Sequence, residues 1–81
     1  MGYHTKKIKR GELGEVSKID EEFAEFHDAL DQKNAIMALL ELSDLIGAIE
    51  LYTKNHFNID LEGLIIMRKA TESAFKDGTR K

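Results

Sequence analysis

The sequence predicts an all-α chain of three helices, an antiparallel hairpin followed by a third helix, that completes a helical bundle by homo-oligomerisation. Three observations predict it. Apolar residues recur at alternating intervals of three and four, and a long apolar run has no proline to break it. No segment shows the every-second-residue alternation of a strand. At 81 residues the chain is close to the lower limit for a self-sufficient core, so the missing burial is expected from a second copy.

After Gly11 the pattern turns helical. Val16, Ile19, Phe23, Phe26 and Leu30 form one apolar stripe. The polar stretch Asp31-Gln32-Lys33-Asn34 suits a short turn between antiparallel helices. A second helix, from Ala35 to about Phe57, is apolar almost all round, with Ile36, Met37, Leu39, Leu40, Leu42, Leu45, Ile46, Ile49 and Leu51. Such a helix is central in a bundle or spans a membrane, and Glu41, Asp44 and Glu50 within it exclude the membrane. A third helix begins near Asp60, a good N-cap, with Ile59 placed to staple against Leu64. Leu61, Leu64, Ile65, Arg68 and Phe75 follow one face of it, and Gly78 is placed to end it.

Composition bounds the function. The chain is 42% apolar and 33% charged, which is globular, and it carries a net charge of -3. That charge argues against a general nucleic-acid binder. The absence of cysteine removes disulfides, thiolate metal sites and cysteine nucleophiles. No apolar segment of a secretory leader follows the basic start, so a cytoplasmic location is expected. Residues 1–10, with Lys6, Lys7, Lys9 and Arg10, read as a solvated basic arm, and residues 11–81 as one helical domain.

The informative feature is the placement of carboxylates. Glu22 and Glu25 on the first helix are three residues apart, as are Glu41 and Asp44 on the second. That spacing puts each pair on adjoining turns, roughly 60° apart around the axis. Lys18 and Ala29 lie on the same flank as Glu22 and Glu25, whereas Glu21 and Asp28 fall on the far side and are expected in solvent. Buried carboxylates require protonation, a cationic partner or a metal, and no arginine or lysine lies between Asn34 and Thr53. An antiparallel hairpin lets the four groups converge, and an all-oxygen set suits Mg²⁺ or Mn²⁺. Such ions bridge to phosphates, which points to a nucleotide. The alternative is that Glu22 and Glu25 are surface charges and that Glu41 and Asp44 pair with lysines of a partner.

Glu21-Glu22-Phe23-Ala24-Glu25, a spacer from Phe26 to Leu40, and Glu41-Leu42-Ser43-Asp44 resemble the ExxE and ExxD motifs of MazG-like proteins in the all-α NTP pyrophosphatase superfamily. Ser17-Lys18-Ile19-Asp20, Asp44-Leu45-Ile46-Gly47-Ala48 and the tail Ala74 to Arg80 fit the same resemblance, which is greatest to short single-domain proteins of the phage type. The resemblance implies Mg²⁺-dependent cleavage of a nucleoside triphosphate to the monophosphate and pyrophosphate by a homo-dimer or homo-tetramer. It implies that Glu22, Glu25, Glu41 and Asp44 hold the metal and that Glu21 supports them or orients the attacking water. Lys18, Lys69, Lys76 and Arg80 would meet the phosphates. Many relatives carry lysine, asparagine and arginine on the later helix; Lys69 matches the lysine, and Ser73 stands in the asparagine neighbourhood.

From another class, the alternative is a non-catalytic helical-bundle protein that keeps this shape and binds a nucleotide or a partner protein. A third reading is a relative acting on phosphoribosyl-ATP or dUTP. His4, His27 and His56 share no ligand spacing and read as surface residues. Tyr52 and Phe57 read as core, and Gly47, one turn after Ser43, as a point of close helix packing. Gly11 and Gly14 make no phosphate loop, because neither Lys-Ser nor Lys-Thr follows at the required spacing.

Overall fold

The computed structural model describes residues 4–76, the side chain of Phe75 excepted. Among these residues the chain is all helical: α1 (Val16–Asp31), α2 (Ala35–Phe57) and α3 (Leu61–Lys76), with no strand. Gly78 and Arg80, expected to end the third helix and to meet phosphate, lie outside the described residues.

Each junction follows from local chemistry. α1 ends in a Schellman turn, with the Asn34 N–H on the Ala29 carbonyl at 3.1 Å and the Lys33 N–H on the Leu30 carbonyl at 2.9 Å. Lys33 takes the left-handed position at φ 55°, which a glycine would fill without steric cost. Asn34 then caps α2 by accepting the Met37 N–H at 3.0 Å. Asn58, also left-handed at φ 56°, reverses the chain after α2, and the Thr53 hydroxyl donates to the Ile59 carbonyl at 2.8 Å. Two carboxylates satisfy the free N–H groups at the start of α3. Asp60 accepts from Gly63 at 2.9 Å, as its N-cap chemistry predicts, and Glu50 accepts from Leu61 at 3.0 Å.

α1 and α2 pack as an antiparallel pair. Their open end is laced by Glu15, which ion-pairs with His56 at 2.9 Å and accepts from Asn55 at 3.2 Å. Asn55 also donates to the Gly14 carbonyl at 3.1 Å. The core cluster of the pair is Ala29, Met37 and Ala38, with Phe26 packed against it.

The burial within the hairpin differs from the sequence expectation. Val16, Phe23 and Leu30 of the expected α1 stripe are exposed, and the α1 face turned to α2 is the neighbouring one, with Glu22 and Ala29 buried. The two faces adjoin on the helix, and α2 presents to them its narrow side, where Ala38, Glu41 and Ala48 are buried. Small residues allow the close approach there, and the carboxylates come with it. The outer faces of α2 are uncovered, with Ile36 75% exposed. Phe57 is exposed rather than core. Gly47 makes no close helix approach among the described residues, since a Cβ there would meet none of them within 4 Å. No helix among the described residues is long and apolar enough to cross a membrane.

Candidate metal centre

The antiparallel packing of α1 and α2 brings all four sequence-predicted carboxylates to one seam. Ligand oxygens of Glu22, Glu41 and Asp44 lie within 4.8 Å of one another. Glu25 joins Glu22 in a second such group, with Glu21, and Glu41 in a third, with His4. Glu22 and Glu41 are buried, and each keeps one oxygen, Oε1, with no hydrogen-bond partner among the described residues. An oxygen removed from water without a donor is costly unless protonated or bound to a cation. Each of these groups could hold a cation, and the all-oxygen group of Glu22, Glu41 and Asp44 suits a hard divalent ion.

The electrostatics agree. Burial, reinforced by the Glu25 carboxylate and by Asp44, pushes Glu22 up to about 7 against the partial relief given by Lys18. Burial also raises Glu25, and Glu41 beside it adds to the effect. Lys18 lies 3.6 Å from Glu22 and 3.1 Å from Glu21.

Glu21 is not in free solvent as expected. It is largely buried and accepts the Gly11 N–H at 2.9 Å as well as the Lys18 ammonium. Despite its burial, these donors hold its carboxyl below the usual range. Gly11 makes this possible: it lies so close to the start of α1 that a Cβ would overlap the Ser17 carbonyl.

Asp28 overturns the expectation of solvation more fully, being 0% exposed. It accepts the Thr5 hydroxyl at 2.7 Å, the Thr5 N–H at 3.0 Å, the Gln32 amide at 2.9 Å and the His4 Nδ1 at 2.9 Å. The Thr5 hydroxyl, together with the other donors, keeps its carboxyl well below the ordinary value against the opposing effect of burial. The segment of residues 4–10 is thereby fastened to α1, although Lys6, Lys7, Lys9 and Arg10 themselves are exposed. Lys6 also pairs with Asp31.

His4 is the residue that sequence reasoning missed. Its side chain is 7% exposed, and its Nε2 stands 3.0 Å from Glu41 and 4.0 Å from Glu25. His27 and His56 are exposed, as the sequence predicts. His4, Lys6, Ile8, Arg10, Glu21 and Glu25 line a cavity of about 280 Å³ that opens beside the seam. Lys69 and Lys76 are not brought to the seam within one chain; they line a separate groove on α3 with Arg68, Glu72 and Ser73.

No family model matches this chain, and no curated protein or solved structure does.

Proposed function

We propose that the chain is a Mg²⁺-dependent nucleoside triphosphate pyrophosphohydrolase that works at the α1–α2 seam. The observation that carries this reading is the overlapping groups that Glu22, Glu25, Glu41 and Asp44 form along one seam, with two buried oxygens that have no donor among the described residues. When bound, a divalent ion supplies charge neutralisation at a phosphoryl group and acidifies a water. The chain's own groups do the rest. Glu21, pinned by Gly11 and Lys18, is a weak base and suits orienting the attacking water. Lys6 and Arg10 border the cavity that contains Glu21 and Glu25, and cations there favour a polyphosphate.

On the other side of the seam, Leu13, Lys18, Asp44, Gly47 and Leu51 border a groove of about 380 Å³, in which the absent Gly47 side chain leaves room for a nucleoside. The exposed apolar faces of α2 and α3, including Ile36, Leu39, Leu40, Ile66 and Met67, support assembly of two or four copies. In such an assembly Lys69 and Lys76 of one copy would serve the phosphates held by another. The same apolar faces favour, as second reading, a non-catalytic bundle protein that binds a partner.

The two readings separate in one assay. Incubation with Mg²⁺ and a panel of nucleoside and deoxynucleoside triphosphates is expected to yield monophosphate and pyrophosphate. Glu41→Gln is expected to abolish turnover with helicity retained. Absence of any pyrophosphate, or equal turnover in that variant, would refute the enzyme reading.

A further inference from the structure

His4 is held in an arrangement that a surface histidine does not need. Its Nδ1 faces the Asp28 carboxylate at 2.9 Å, and Asp28 is itself fully buried and fastened by Thr5 and Gln32. A carboxylate only accepts, so Nδ1 carries the proton of this bond. That leaves Nε2 aimed at a second acceptor, the Glu41 Oε2, at 3.0 Å, with Glu25 at 4.0 Å. Two lone pairs cannot face each other at that distance. Without metal a proton on Nε2 joins them, and a metal ion would take that proton's place.

The same spacing is compatible with a shared metal ion. Two ligands at right angles, each about 2.1 Å from an octahedral ion, lie about 3.0 Å apart, and opposite ligands about 4.2 Å apart. Asp28 holding the remote nitrogen is the arrangement by which carboxylates orient metal-binding histidines. Glu41 is 3% exposed, so its carboxylate calls for a positive partner, and its other oxygen, Oε1, has no hydrogen-bond partner among the described residues.

We propose that His4 Nε2, Glu25 and Glu41 form a mixed nitrogen-and-oxygen position for a divalent transition-metal ion at the N-terminal side of the acidic seam. Imidazole is a better ligand for Mn²⁺ or Zn²⁺ than for Mg²⁺, so His4 makes this end of the seam selective. The inference rests on the seam being a cation site at all, and adds a ligand to it from outside the acidic motif. Asp28 acts here as a positioning residue.

Mn²⁺ alone serves as the probe, read by pulsed electron paramagnetic resonance on the full chain. The expected result is Mn²⁺ bound with the ¹⁴N modulation of a directly coordinated imidazole. His27→Gln/His56→Gln should keep that modulation, and His4→Gln should remove it and weaken Mn²⁺ binding about tenfold. Because the double variant leaves His4 in place, the assignment stands even if His4→Gln folds poorly. Bound Mn²⁺ without ¹⁴N modulation would overturn the role of His4 and leave the carboxylate site intact. No bound Mn²⁺ at millimolar concentration would overturn both.

Discussion

Glu22 of α1 and Glu41 of α2 bring carboxylate oxygens within 4.8 Å of each other across the helix seam, and both are buried. Each keeps an Oε1 without a hydrogen-bond donor among the described residues. Lys18, 3.6 Å from Glu22, relieves that burial only in part, and His4 meets only the Oε2 of Glu41, so a proton or a further cation at the two unpartnered oxygens stabilises the hairpin. Most of the expected behaviour of the chain follows from this.

Replacing Glu22 by glutamine keeps its shape and removes a desolvated charge. In metal-free buffer at pH 8, Glu22→Gln is expected to stabilise the chain by about 1 kcal/mol or more, read by urea unfolding. With Mg²⁺ present the order should reverse, because only the parent gains from the ion. Destabilisation by the substitution without metal would contradict the account.

The same carboxyl sets a pH dependence. Burial and its neighbours Glu25 and Asp44 raise Glu22 to about 7 from an ordinary value of 4.5, while Lys18 opposes them. The folded chain then binds a proton that the unfolded chain has already released, so stability is fullest below pH 4.5 for this group and falls as pH rises to about 7. His4, raised by Asp28 and Glu41 although burial lowers it, adds a loss in the same direction above its ordinary value of 6.5. Asp28 works oppositely, with stability lost in acid below its ordinary 3.8. Metal-free thermal unfolding should therefore show a lower midpoint at pH 8 than at pH 5.5, and Glu22→Gln should remove most of the difference. Equal midpoints for the parent would contradict the placement of Glu22.

Asp28 fastens the segment that carries His4 and Thr5. Asp28→Ala is expected to release it while leaving α1 and α2 formed. Amide exchange reads this directly, with the Thr5 N–H losing protection and the α2 amides keeping theirs. Retained protection at Thr5 would show that the segment is held by other contacts.

Apart from these groups, much of the fold was legible in sequence. Asp60 announced a helix start because its short side chain reaches the N-terminal N–H groups of the helix, a local effect that Asn34, read only as part of the polar turn, repeats at α2. The ExxE and ExxD spacing located Glu22, Glu25, Glu41 and Asp44 for an equally local reason, helix periodicity. What periodicity could not settle was which of two adjoining α1 faces meets α2, because Phe23 and Leu30 carry the stronger apolar signal yet lie outside the hairpin. His4 was illegible because its partners stand 24 and 37 residues away, and only the return of the chain along α1 brings them together. Lys33 hid a left-handed turn that glycine would have signalled.

The outward apolar faces lead to a prediction about assembly. Light scattering is expected to report a dimer or tetramer, and Leu40→Glu, on the exposed side of α2, to shift it toward monomer. A parent that stays monomeric at high concentration would contradict a shared bundle.

The most direct test of the metal centre is calorimetric titration of Mg²⁺ into the parent and into Glu41→Gln, because Glu41 belongs both to the group with Glu22 and Asp44 and to the one with Glu25. The account predicts saturable binding to the parent, in the millimolar range or tighter, and its loss in the variant. A parent that shows no saturation, or a variant that binds Mg²⁺ equally well, would contradict it.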